Sequence, residues 1–162
     1  MIKNGVYAAG LSILKDNKSL DVEATINHAE SAIKNGLHGV FFFGSTGQSQ
    51  LISISEKKDL ISRTTSSKFK NQFYIGTGVN SFKDNLDLIR YSIEFGFQTF
   101  LLMPPAYYKG NTDEGVYNFY AEIISQLPKI KIILYNFEKL SGYLFNAEAV
   151  KKLAKNFPKQ II

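Results

Sequence analysis

The sequence contains no cysteine. That excludes a disulfide framework, thiolate chemistry and any cysteine-ligated metal site, and it agrees with a reducing cytoplasm. No apolar stretch approaches the ~20 residues of a membrane span. The segment from Val6 to Leu14 follows Lys3 and could mimic a short signal peptide. It is broken by Gly10 and Ser12 and runs straight into Lys15 and Asp16, so it reads as a strand. There is no linker and no low-complexity stretch. Charge of one sign is not concentrated anywhere: the net charge of +5 comes from scattered residues such as Lys15, Lys34, Lys57, Lys58, Lys68, Lys109, Lys151 and Lys152. These read as lysines on solvated helix faces rather than as a nucleic-acid patch. His28 and His38 have no Asp, Glu or His partner at metal-ligand spacing, so packed or surface histidines are expected and no metal or cofactor.

What is present is a repeat. Six short apolar runs, Val6–Leu14, Gly39–Phe43, Phe73–Gly76, Thr99–Met103, Lys131–Tyr135 and Ile161–Ile162, begin 26 to 34 residues apart. A strand–helix–strand unit needs roughly that length. Each gap carries one segment with apolar residues at helical spacing, such as Leu86, Ile89 and Ile93. Ser53-x-x-Glu56 is a capping box, and Asp21, Ser81, Thr112 and Asn146 are placed to cap the other helices. Gly36 and Gly96 each follow a helical pattern and precede a strand, as left-handed helix terminators do.

Apolar strands alternating with amphipathic helices predict a parallel α/β sheet covered by helices. Spacing alone fits a five-stranded flavodoxin-like sheet, and it fits five and a half units of a (β/α)₈ barrel, whose full form takes ~250 residues. In either fold chemistry collects at the C-terminal ends of the strands. Those ends carry Gly44-Ser45-Thr46-Gly47, Gly76-Thr77-Gly78, Pro104-Pro105-Ala106-Tyr107-Tyr108 and Tyr135-Asn136. Hydroxyls and tyrosines therefore converge on one rim. Gly44–Gly47 is not a Walker loop, because no Gly-Lys-Ser/Thr follows, and Gly76-Thr77-Gly78 lacks the third glycine of a dinucleotide fingerprint. The first turn is either an ordinary βα turn or a set of backbone N–H groups offered to an anion. Phe41, Phe42, Phe43, Phe97 and Phe100 are expected in the core, and Tyr117 and Tyr120 are expected to pack.

The order of these motifs, with Lys109-Gly110, Asp113-Glu114-Gly115 and Ser141-Gly142 added, resembles the dihydrodipicolinate synthase and sialate lyase family over the whole chain. The resemblance implies an incomplete TIM barrel forming a single domain over residues 1–162, cut before the strand that carries the Schiff-base lysine. It implies a lyase or aldolase acting on pyruvate or a 2-keto acid, cytoplasmic, and a homodimer or homotetramer when full length. Carried over by position, Ser45, Thr46 and Gly47 bind the substrate carboxylate. Tyr135 relays protons at the Schiff-base carbon, and Thr46 links Tyr135 to Tyr107, which reaches across a dimer interface. The departures are Gln48 for the usual Glu, Ser12-Ile13 for Thr-Pro, Glu138 for Pro, and Leu140-Ser141-Gly142 where dihydrodipicolinate synthases have Arg-Thr-Gly. The last weakens aspartate semialdehyde as the acceptor. Lys155 and Lys159 precede the sixth strand and are not its lysine. The rival expectations are a catalytically inactive or structural fragment of such a barrel, and a different β/α enzyme that binds a phosphorylated ligand.

Overall fold

A computed structural model describes residue 2 and residues 4–162, which leaves Lys3 outside the described residues. Five parallel strands lie in the order of the chain: β1 (Tyr7–Ala9), β2 (Gly39–Phe42), β3 (Phe73–Gly76), β4 (Thr99–Leu102) and β5 (Lys131–Leu134). A flavodoxin-like sheet places its first strand between its second and third. The unbroken order is the winding of a barrel, and Ile161 extends it by bridging in parallel to Ile132. The first strand is shorter than its apolar run. Beyond Gly10 the chain leaves the sheet, and Leu14 pairs instead with Leu20 in an antiparallel bridge.

Helices α1 (Val22–Lys34), α2 (Ile54–Arg63), α3 (Phe82–Glu94), α4 (Asp113–Gln126) and α6 (Ala147–Asn156) connect the strands, with a short α5 (Glu138–Ser141) after β5. All five expected caps form. The side chains of Asp21, Ser53, Ser81, Thr112 and Asn146 accept from the backbone N–H three residues on, and Glu56 closes the capping box by accepting from the Ser53 N–H. Gly36 and Gly96 end their helices at φ +100° and +83°. On α3 the buried face is Asn85, Leu86, Leu88, Ile89 and Ser92, not Ile93, which is exposed. The Ser92 hydroxyl is accommodated by donating to the Leu88 carbonyl at 2.7 Å.

Strand alternation divides the core into two layers. Val40, Phe42, Phe73, Ile75, Phe100, Leu102 and Ile132 point to the helices and are buried. Phe41, Tyr74, Leu101 and Ile133 point to the concave side and are only half-buried. Phe41, expected in the core, thus lines the barrel interior, where its ring stacks on Tyr74 at 4.9 Å and meets Tyr7 edge-on at 5.9 Å. Tyr120 packs as expected and is fully buried, its hydroxyl donating to the Leu102 carbonyl at 2.7 Å. His38 lies at the surface, where its Nδ1 accepts from the Val6 N–H at 3.0 Å.

Candidate active site

The site begins with backbone that only particular residues tolerate. At the end of β2 the chain turns sharply, with Phe43 at φ +60° and Gln48 at φ +49° on either side of Gly44–Gly47. Gly47 sits against the loop after β1. The Ser12 hydroxyl donates to the Gly47 carbonyl at 2.6 Å, and a Cβ on Gly47 would come within 2.8 Å of the Gly10 carbonyl oxygen. Gly76 and Gly78 are required for a similar reason. A Cβ on Gly76 would lie 2.9 Å from the Phe43 carbonyl oxygen. One on Gly78, at φ +55°, would lie 1.6 Å from Ser49 Oγ. The Gly-Thr-Gly sequence is therefore a close contact between two strand-end loops, not a nucleotide loop.

A chain of hydrogen bonds fastens the loops together. The Gly78 carbonyl accepts from Ser49 Oγ at 3.2 Å, Gln50 Nε2 at 2.7 Å and Lys57 Nζ at 3.3 Å. Gln50 Oε1 accepts from Asn80 Nδ2, and Asn80 Oδ1 accepts from the Ala106 N–H at 2.8 Å, one residue before Tyr107. Lys57 is a correction to the solvated-lysine reading. It lies on α2, it is fully buried, and it also donates to the Thr77 carbonyl at 2.9 Å. Its ammonium lies 5.6 Å from the centre of the Phe43 ring. Burial pulls its pKa down to about 8, against a smaller opposing pull from Asp84. Burial of a cation costs free energy unless polar groups surround it, and here backbone carbonyls do so. The sequence signal was available: Lys57 stands three and four residues before the buried Leu60 and Ile61, on the same helix face.

These loops enclose a cavity of about 560 Å³ at the C-terminal end of the strands. Ser45, Tyr107 and Tyr135 stand on its wall together, as do Gln48 and Leu140 at two of the unusual positions. Thr46 and Gly47 do not. Gly47 is buried in the turn, and Thr46 is exposed. The Tyr135 hydroxyl is buried and has no hydrogen-bond partner among the described residues, so the expected bond from Thr46 is not formed. Tyr107 is 77% exposed, its ring edge-on to Tyr108 at 5.1 Å, and only the first of the pair reaches the cavity.

The family model described as the dihydrodipicolinate synthetase family matches residues 3–162. The chain belongs to this family. It is 36% identical over 141 residues to the 4-hydroxy-tetrahydrodipicolinate synthase of Legionella pneumophila subsp. pneumophila, a match covering 86% of this chain and 48% of that protein. The dihydrodipicolinate synthase structure from Agrobacterium tumefaciens superposes with a TM-score of 0.90 at 26% identity, covering 98% of this chain and 56% of that one. The dihydrodipicolinate synthase of Acinetobacter baumannii, solved with pyruvate, superposes with a TM-score of 0.83 at 25% identity over 96% of this chain and 53% of that one. The chain spans about half the length of the curated relatives it matches. The fold is accordingly an incomplete (β/α)₈ barrel. Among the described residues no helix is long and apolar enough to cross a membrane.

Proposed function

We propose that these residues form the N-terminal part of a lyase or aldolase that acts on pyruvate or another 2-keto acid through a lysine Schiff base, the lysine lying outside residues 1–162. The observation that carries this reading is the Tyr135 hydroxyl, buried without a partner at the wall of a cavity shared with Ser45 and Tyr107. Buried polar groups are nearly always hydrogen-bonded, and exceptions concentrate where a ligand or a reaction uses them. The pyruvate complex of the Acinetobacter enzyme supports the choice of substrate.

In this reading the amine attacks the ketone carbon, and Tyr135 carries protons to and from the carbinolamine oxygen as water leaves. The iminium then accepts the electron pair of the C–C bond that breaks; in the forming direction it first loses a proton from the adjacent carbon, and the enamine so made supplies the pair for the new bond. Ser45, on the cavity wall, holds the carboxylate with its hydroxyl and N–H groups, and Thr46, exposed beside it, joins Tyr135 to Tyr107 by turning inward. We assign the protein to the cytoplasm and to a homo-oligomer. The exposed cluster of Leu51, Tyr107 and Tyr108 at the rim supports the second assignment.

Pyruvate with borohydride tests the reading. In a polypeptide carrying the whole barrel it should leave one adduct per subunit, mapping outside residues 1–162. An adduct on Lys155, Lys159 or any other lysine of these residues would overturn the site assignment. No adduct at all would favour an inactive or structural barrel.

A further inference from the structure

Two neighbouring loops of the rim are held very differently. The loop after β3 is fixed from beneath. Its Thr77 and Gly78 carbonyls accept from buried Lys57, and its Val79 and Ser81 carbonyls accept from Nδ2 of buried Asn85 at 3.1 and 2.9 Å. The loop after β4, which carries Tyr107, has no such frame. Pro104 and Pro105 have no N–H to donate. Among the described residues, 104–111 make one hydrogen bond to the rest of the protein, from the Ala106 N–H to Asn80 Oδ1 at 2.8 Å. The bond from Asn111 Nδ2 to the Pro105 carbonyl only closes the loop on itself.

Backbone groups at both ends fix the direction of every bond in this bridge. The Gly78 carbonyl can only accept, so Gln50 turns Nε2 to it at 2.7 Å and offers Oε1 to Asn80. Asn80 gives Nδ2 to Gln50 at 3.2 Å and keeps Oδ1 for the Ala106 N–H, which can only donate. Tyr107 is the next residue. Its ring is 77% exposed, so packing of the ring does not hold the loop.

We infer that Asn80 is a positioning residue for the reaction: it pins the Ala106 N–H to the rigid β3 loop and so sets where the Tyr107 hydroxyl stands on the cavity wall. The inference rests on the lyase reading above, in which Tyr107 belongs to the proton relay with Tyr135. Asn80 lines the same cavity, but its Oδ1 and Nδ2 are both engaged by protein partners. It therefore acts through Tyr107 and not on the substrate.

The test uses a polypeptide carrying the whole barrel. Asn80→Ala should lower kcat about tenfold, the scale of one lost hydrogen bond, and leave KM for pyruvate little changed. Asn80→Asp keeps an acceptor for the Ala106 N–H and should retain most of kcat. In a Tyr107→Phe background Asn80→Ala should cost little more, because both changes disable one group. Hydrogen exchange at the Ala106 and Tyr107 amides should be faster in Asn80→Ala and unaltered in Asn80→Asp. If Asn80→Ala does not fold, Asn80→Ser, whose hydroxyl stops one bond short, takes its place. Unchanged kcat in Asn80→Ala, a loss repeated in full on Tyr107→Phe, or an Asn80→Asp variant as slow as Asn80→Ala overturns the inference. Failure of the lyase reading shows separately, as absence of the pyruvate adduct. Amide exchange then still decides, and equal rates with and without the Asn80 side chain overturn the inference.

Discussion

Lys57 Nζ donates to the Thr77 carbonyl across 2.9 Å in the interior, with no carboxylate paired to it among the described residues. The same ammonium reaches the Gly78 carbonyl and so joins α2 to the loop that follows β3. A cation held in this way stiffens the rim and burdens the fold at once, and the two effects separate with pH.

Burial lowers the Lys57 pKa in the folded protein to about 8, whereas an unfolded lysine titrates near ~10.4. Between those values the unfolded chain binds the additional proton, so stability should rise with pH across that window. Below about 8 both states are protonated and the cost is constant. At ~1.36 kcal/mol per unit the full effect is roughly 3 kcal/mol. Denaturant unfolding at intervals from pH 7 to 10.5 should show the protein gaining on its Lys57→Met variant by an amount of that order. A difference between the two that stays flat with pH would mean that Lys57 is not buried as a cation.

Gly78 should be the least replaceable glycine of the rim. Its φ of +55° disfavours any side chain, and the space a Cβ needs is filled by Ser49 Oγ. Gly78→Ala should cost roughly 2–4 kcal/mol, the sum of a left-handed backbone penalty and overpacking. Gly36 is the control, since nothing lies within 4 Å of its Cβ position and only the backbone penalty applies. Gly36→Ala should cost about 1–2 kcal/mol. Urea midpoints of the two variants decide it, and equal losses would show that the contact with Ser49 is soft.

The contrast explains what the sequence could disclose. Caps such as Asp21 and Asn146 were legible because a cap is satisfied within three residues of itself. The barrel winding was not, since spacing is the same in a doubly wound sheet; it took the family motifs or the observed strand order to decide. Lys57 was misread because lysine is so seldom buried that composition outweighed its place on the apolar face of α2. Nothing in Gly-Thr-Gly announces that Ser49, twenty-nine residues before Gly78, fills the space beside it. Tyr135 and Tyr107 could be placed on one rim from the strand ends alone. That Thr46 lies off the cavity wall could not, because its exposure is settled by the left-handed turns at Phe43 and Gln48.

Tyr135 ties the site to its proposed chemistry most directly. Its hydroxyl is buried and makes no hydrogen bond among the described residues. Removing an unsatisfied buried polar atom relieves a desolvation penalty rather than breaking a bond. Tyr135→Phe should therefore leave stability unchanged or raise it by up to about 1 kcal/mol. In a polypeptide carrying the whole barrel, the same change should lower kcat by roughly 10²–10⁴, the range for loss of a positioned acid–base group. An ordinary packing tyrosine would show neither the neutral stability nor the kinetic loss in combination. Thr46→Val should also slow turnover, and the double variant should lose less than the product of the two, because both serve one relay. If the losses multiply, Thr46 acts apart from Tyr135, in agreement with its exposed position. If Tyr135→Phe retains more than about half of kcat, far above the range for acid–base catalysis, the phenol is not the proton carrier.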